Sequence, residues 1–400
     1  MTNLPPASDV WSVSQARVLT RTHGLPARWF IDPQVNQREW ERIFQSHWLC
    51  VGHASAIPSP GDYWTFEVEG QPLLLARGGD GVLRGFYNLC RHRAALLVDK
   101  PRGTLRGAWR CPYHGWSYDA QGQLVAAPHM SDTPGFCQAD YPLRPVATEV
   151  WNGLVFVNLH EQAQPLRQSL APLWNTFDAW NLDSWRPGWE QSYRVAANWK
   201  LLLENFHECY HCPGVHPQLN ALSPFQSAEN DLTQGPILGG PMRLAEGVQT
   251  LSLGGRYCGV VPPGLSETHR RQVSYYGIFP NLLFSPHPDY VLVHYLHRLG
   301  MAETVVHCLL LFSPEALDRP GFDPTPAAEF WHQTNLQDWE MCERVQRGIT
   351  SLGYEPGPYS ILESTVAALD EHYLQVMGET ESLRAKSLPG RDSHDQPSAM

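Results

Sequence analysis

The spacing of apolar positions changes character several times along this chain of 400 residues. Arg28-Trp29-Phe30 leads into a breaker-free amphipathic stretch that predicts a helix over 37–46. Between Pro58 and Leu159 the period drops to two. Tyr63-Trp64-Thr65-Phe66-Glu67-Val68 alternates, Pro72-Leu73-Leu74-Leu75-Ala76-Arg77 follows, and Gly78-Gly79-Asp80-Gly81 reads as a hairpin turn. Leu154-Val155-Phe156-Val157-Asn158-Leu159 closes this region as a buried strand, so the stretch predicts a small all-β domain. From Asn198 the apolar positions return to helical spacing, predicting a helix that runs until Pro213-Gly214 stops it. Residues 222–312 are strand-like again, with 290–297 and 304–312 as a hairpin. A Pro-rich connection then leads to a long helix over 327–348 and a last one over 360–377. The first dozen residues are expected to fray, and the last fifteen, polar with Gly and Pro, to be disordered.

The most chemically loaded stretch lies at the end of the first downstream helix: Glu204-Asn205-Phe206-His207-Glu208-Cys209-Tyr210-His211-Cys212-Pro213-Gly214-Val215-His216. So many coordinating groups within thirteen residues point to a mononuclear metal site. On a continuous helix Glu204, Glu208 and His211 share one side, with His207 nearby. Two sites fit the same letters. His207-Glu208-Cys209-Tyr210-His211 is literally H-E-x-x-H, the pattern of a zinc peptidase in which the Glu is general base. N-x-x-E-x-x-H-x4-H instead makes His211 and His216 ligands that a distant carboxylate completes into a facial triad for ferrous iron. Nothing in this stretch separates zinc from iron.

Composition narrows the classes. A hydrophobic content of 42% with 17% charged residues describes a globular protein, and a net charge of −11 argues against nucleic acid as a partner. No apolar run reaches membrane-spanning length and no basic leader precedes an apolar stretch, so a cytoplasmic protein is expected. The 9 cysteines show no disulfide-scaffold pattern and are expected to be metal ligands or buried free thiols.

Two further pieces stand in turns of the β region: Cys90-Arg91-His92-Arg93 and Cys111-Pro112-Tyr113-His114-Gly115-Trp116. Each of two opposed loops offers one thiolate and one imidazole. Tetrahedral zinc and a mixed-ligand [2Fe–2S] cluster both take such a set.

With both motifs in hand, the chain resembles the large subunit of Rieske-type non-haem iron oxygenases. Cys90, His92, Cys111 and His114 fall on the cluster motif, and Trp151-Asn152-Gly153-Leu154-Val155-Phe156-Val157-Asn158 on the strand after it. The resemblance implies an α+β fold: an all-β Rieske domain over 46–160, a helix-grip catalytic domain over 161–385, an N-terminal helical segment over 1–45 packing on the latter, and a disordered tail over 386–400. It implies that His211 and His216 bind Fe2+, that His207 is a bystander, and that Asp338 in Gln337-Asp338-Trp339-Glu340 is the third ligand, with Glu340 and Glu343 as rivals. It also implies a homotrimer in which Glu208 bridges the iron of one subunit to the cluster of the next, and a separate flavin or iron–sulfur reductase.

Glu at 208, where most of the family carries Asp, is similar to the branch acting on quaternary ammonium compounds such as glycine betaine, carnitine, choline and stachydrine. Such a cation is held by aromatic faces. Phe206, Tyr275, Tyr276, Phe279, Tyr290 and Tyr295 lie near the expected pocket. The alternatives are an aromatic-ring-hydroxylating dioxygenase, the zinc peptidase, and an electron carrier binding only the cluster.

Overall fold

The computed structural model describes residues 19–379. The termini expected to fray or be disordered lie outside the described residues. Two antiparallel sheets, each carrying one of the candidate centres, organise the rest.

The first sheet has seven strands in the order Leu49–His53, Leu154–Asn158, Pro145–Trp151, Leu83–Tyr87, Gln71–Arg77, Asp62–Val68 and Arg102–Thr104. The predicted hairpin across residues 78–81 is present, Arg77 pairing with Leu83. A three-stranded sheet of Trp109–Arg110, Ser117–Tyr118 and Leu124–Ala126 caps it. Its own core gathers Tyr63, Phe86, Trp109, Trp116, Tyr118 and the two motif cysteines.

The second sheet has six strands in the order Arg186–Val195, Thr304–Phe312, Val291–Arg298, Leu282–Pro286, Gln272–Ile278 and Ile237–Arg243. Directly paired residues share a face, and one row runs Leu238, Gly277, Leu283, His294, Cys308 across it. The long helix Thr325–Ile349 lies on that face, burying Trp331, Thr334, Asn335 and Trp339. The fold is thus α+β, an all-β domain beside a sheet gripped by helices. Among the described residues no helix is long and apolar enough to cross a membrane.

Two expectations about helices change. The N-terminal helix starts earlier than 37, at Pro33, because Asp32 caps it by accepting the Gln34 N–H at 2.8 Å, and it continues as a π-helical turn over Trp40–Phe44. The helix from Trp199 stops at Phe206, well before Pro213. The Glu208 carboxylate accepts from the backbone N–H groups of Tyr210 and His211, the latter at 3.1 Å, and this local bonding replaces the helical ladder. Pro213 instead opens a new turn of helix, Cys212–Val215, where its missing N–H costs nothing.

The root of the Trp199–Phe206 helix is held by a buried ionic hub. Glu39 accepts from Lys200 Nζ at 2.5 Å, Tyr373 Oη at 2.7 Å, Trp199 Nε1 at 3.2 Å and Arg298 Nη1 at 3.2 Å. Arg298 also reaches Asn36 and, at 2.7 Å, Glu69 in the turn between two strands of the first sheet. One carboxylate therefore joins the N-terminal helix, the iron-site helix, the last helix and both sheets. Removing it strands Lys200, which is 3% exposed, while Arg298, 6% exposed, keeps Glu69 and Asn36. Glu39→Ala is therefore expected to cost about 3–5 kcal/mol in denaturant unfolding, with Glu39→Gln costing less.

Candidate metal centres

The two cysteine–histidine loops are built alike. Cys90 N–H donates to Ala95 O and Ala94 N–H returns to Cys90 O, both at 2.9 Å; Cys111 N–H donates to Trp116 O at 2.7 Å and Gly115 N–H returns to Cys111 O at 3.1 Å. Each loop turns on a left-handed residue, Ala94 with φ 55° and Gly115 with φ 75°. Both cysteines end up buried, whereas His92 is half-buried and His114 exposed, their rings 4.5 Å apart. Trp116 stacks on His92 at 4.9 Å, and Tyr118 Oη lies 3.6 Å from Cys90 Sγ. Burial pushes the Cys90 thiol up, so a metal is needed to hold it as thiolate.

These four donors do not converge as a single ion requires. Among the described residues, the group of three or more metal-binding side chains whose ligand atoms lie within 4.8 Å of one another is His211, His216 and Asp338. A tetrahedral zinc needs its donors closer than that. Sulfurs inside and imidazoles outside fit a two-iron cluster with one iron facing each pair.

At the second centre, His216 Nε2 lies 2.7 Å and His211 Nε2 3.3 Å from the same Asp338 oxygen. The opposite ring atoms are held too: His211 Nδ1 by Glu208 Oε1 at 2.5 Å and His216 Nδ1 by the side-chain amide oxygen Oε1 of Gln337 at 2.7 Å. Each imidazole thus has one nitrogen fixed from behind and the other aimed at a common point, as metal-binding histidines do. Burial lowers the pKa of His211, but hydrogen bonds to Asp338 and Glu208 outweigh it and raise the value to about 10. Asp338 is likewise held below its usual range against burial by the two histidines. The arrangement attracts a proton at the point where a cation belongs. Two imidazoles and one carboxylate with open positions suit ferrous iron.

The rivals are engaged elsewhere. His207 Nδ1 lies 2.6 Å from Leu203 O, and its ring rests on Gly277, where a Cβ would fall 2.1 Å from Nε2. Because the helix ends before His207, the H-E-x-x-H residues do not share a helical face. Glu340 pairs with Arg344, and Glu343 accepts the Ala196 N–H at 3.0 Å. The expectation that the cysteines are metal ligands or buried free thiols fails in two places: Cys209 and Cys212 form a disulfide with their Cα atoms 5.0 Å apart, and Cys137 is an exposed thiol.

A cavity of about 120 Å³ opens beside His211, His216 and Asp338. Taking about 10–15 Å³ per water, it holds on the order of ten small groups. Of the aromatic residues anticipated, Phe206 and Tyr275 line it. Tyr276 faces away and donates to Asp231, Phe279 packs on Trp199, Tyr290 donates to Leu251 O, and Tyr295 stacks on His307. Sequence reasoning missed Trp331, Trp339, Phe225, His294 and the positioning role of Gln337. Helical spacing back from Asp338 to Asn335 and Trp331 was a usable signal for the first of these. Among the described residues no lysine or arginine lines the cavity, and Tyr275 Oη, His294 Nδ1 and Trp339 Nε1 have no hydrogen-bond partner.

A sulfur-and-imidazole cradle on one sheet and a two-histidine, one-carboxylate pocket on the next are the layout of a non-haem iron oxygenase fed by a Rieske cluster. Residues 47–142 match the Rieske [2Fe-2S] domain, and residues 182–379 the catalytic domain of the ring hydroxylating alpha subunit. The chain is 30% identical over 380 residues to the glycine betaine monooxygenase oxygenase subunit of Chromohalobacter salexigens, covering 84% of this chain and 82% of that one. It is 34% identical over 195 residues to the carnitine monooxygenase oxygenase subunit of Escherichia coli, covering 48% and 52% of the two chains. Among solved structures, the quaternary ammonium Rieske monooxygenase CntA superposes with a TM-score of 0.75 at 24% identity, covering 89% of this chain and 95% of that one. Naphthalene 1,2-dioxygenase from Rhodococcus sp. gives 0.72 at 23%, covering 90% and 95%.

The chain belongs to the Rieske-type ring-hydroxylating oxygenase alpha subunits. It is an oxidoreductase whose cofactors are a [2Fe–2S] cluster and a mononuclear iron. Asp338→Ala is expected to lower bound iron from about three to about two per chain, with the visible absorption of the cluster unchanged; elemental analysis beside the absorption spectrum checks this.

Proposed function

We propose that this chain is an oxygenase component that hydroxylates an N-methyl group of a quaternary ammonium compound, leading to oxidative N-demethylation. The observation that carries the reading is the cavity itself. Phe206, Tyr275, Trp331 and Trp339 wall it, and among the described residues no lysine or arginine enters it. Aromatic faces in a desolvated pocket attract a permanent cation, while a lysine or arginine there would repel one. The names of the two relatives above, which act on betaine-type cations, support the same reading.

In this proposal Cys90, His92, Cys111 and His114 hold the cluster, and His211, His216 and Asp338 hold the iron. When bound, these groups supply stored electrons and a site at which dioxygen is reduced. The chain's own residues do the positioning. Glu208 and Gln337 fix the two imidazoles, and the aromatic walls orient an N-methyl toward the donors. Two electrons and two protons accompany dioxygen; one oxygen atom enters the C–H bond and the other leaves as water. The hydroxymethyl product is a cationic hemiaminal that loses its hydroxyl proton as the C–N bond breaks, releasing formaldehyde and the tertiary amine, which keeps the bonding electron pair.

The proposal extends to assembly and location. Residues 46–160 and 161–385 are taken as Rieske and catalytic domains and 1–45 as an N-terminal segment, of which the described part, 19–45, is taken to pack on the latter; 1–18 and 380–385 lie outside the described residues. The chain acts as a cytoplasmic homotrimer supplied by a separate reductase, the cluster of one protomer facing the Glu208 side of its neighbour. In support, Tyr113 beside the cluster loop and Tyr210 beside Glu208 are 57% and 56% exposed, aromatic surface that an interface would cover.

With a surrogate reductase, formaldehyde is expected to appear in step with oxygen consumption when betaine-type amines are supplied. Oxygen uptake with aromatic acids and no formaldehyde across the amine panel overturns the substrate reading. Glu208→Gln is expected to retain both metal centres but to slow turnover by at least about tenfold, read as the rate at which a pre-reduced cluster reoxidises in the presence of substrate.

A further inference from the structure

We infer that the Cys209–Cys212 pair is a thiol-exchange site, and that its opening by a dithiol loosens the hold on the iron-ligating imidazole of His211. This rests on the iron ligands proposed above and not on which substrate is oxidised.

The disulfide closes a ring that holds Tyr210 and His211 between its two cysteines. The contacts that present His211 lie in or beside that ring. Glu208 accepts its backbone N–H at 3.1 Å and holds its Nδ1 at 2.5 Å, and the N–H groups of Gly214 and Val215 both donate to its carbonyl at 3.0 Å. Across the four residues of the ring, Cys212 N–H donates to Cys209 O at 3.2 Å, the long end of the usual range. Glu208 thus fixes the turn on one side, and the sulfur–sulfur bond closes it on the other. A ligand histidine whose supporting contacts are loosened holds its metal less firmly.

A stabilising cross-link is a poor account of this pair. The entropy a disulfide removes from the unfolded chain grows with the loop it closes, and these cysteines are separated by only 3 positions. In a cytoplasmic protein, as proposed here, a disulfide is usually transient and redox-active. Cys212 is 3% exposed whereas Cys209 is half-buried, and both line the iron-site cavity; Tyr210, Pro213 and Gly214 beside them are exposed. Cys209 Sγ is therefore the sulfur an incoming thiolate meets. Attack there breaks the Cys209–Cys212 bond, forms a mixed disulfide on Cys209 and releases Cys212 as thiolate. The second thiolate of the same dithiol then attacks its own partner sulfur in the mixed disulfide, releasing Cys209 and leaving the reductant as a disulfide. Two electrons enter the pair, and the two protons of the dithiol end on Cys209 and Cys212.

The test uses the metal-loaded protein, kept anaerobic with its iron ferrous. It is incubated with reduced or with oxidised dithiothreitol, desalted and divided. One portion is alkylated and its Cys209 and Cys212 peptides are read by mass spectrometry, with exposed Cys137 as the labelling control. The other is mixed with the iron(II) chelator ferrozine, and iron release is followed beside the visible absorption of the cluster. Reduced dithiothreitol is expected to leave both cysteines alkylated. About one iron per chain then reaches the chelator at least about tenfold faster than from the oxidised protein, with the cluster absorption unchanged. Reoxidation is expected to restore the slow release, and Cys209→Ser to release that iron at the fast rate after either treatment. A pair that reduced dithiothreitol leaves closed in the native protein, or a release rate that is the same with the pair open and closed, overturns the proposal. A Cys209→Ser protein without cluster absorption is misfolded, and the comparison of the two wild-type states then decides alone. A protein that holds about two irons per chain in both states overturns the iron-ligand assignment as well. The substrate reading stands or falls by formaldehyde release, which none of these outcomes decides.

Discussion

The Glu39 carboxylate, buried among Lys200, Arg298, Tyr373 and Trp199, is the constraint on which the active region depends. Buried charges are tolerable only when paired, so every element that brings a partner to Glu39 is held in one arrangement. The Trp199–Phe206 helix is pinned at its first turn by this means, which leaves its far end aimed between the central sheet and the long helix. The same hub reaches Glu69 on the first sheet through Arg298, linking the position of the cluster domain to that of the iron site.

Chain direction then does the chemistry's positioning. Had the helix run on past Phe206, His207 and His211 would have pointed together and the site would have been a peptidase-like pair. Glu208 ends it by capping the following N–H groups with the carboxylate that also grips His211 Nδ1. A single side chain thus both breaks the helix and orients the ligand. His207, left against Gly277, becomes a packing residue whose imidazole fits only because that strand position has no Cβ.

The pocket between the sheet and the long helix combines features that pull in one direction. It is small, walled by aromatic rings and, among the described residues, free of lysine and arginine, with polar atoms that none of those residues satisfies. An apolar hydrocarbon would leave those atoms unpaired.

The alternation between residues 58 and 159, the hairpin glycines, the order of the two metal motifs and the long amphipathic helix carrying Asp338 were all legible in the chain, because they depend on local period and on short-range spacing. The choice of Asp338 over Glu340 and Glu343 came only by resemblance, since three acidic residues on one helix differ by where the helix is rotated, and rotation is set by contacts with Tyr193, His294 and Leu201 far away in sequence. The aromatic wall was half read: Phe206 and Tyr275 were named with four others that face elsewhere, because strand alternation does not say which face is concave. What the sequence determined by itself was the kind of chemistry, through residue types at fixed separations. Where the helix ends, which cysteines pair and which ring meets the substrate were decided by tertiary structure, because each turns on contacts between residues far apart along the chain or on a break in local structure that periodicity does not show.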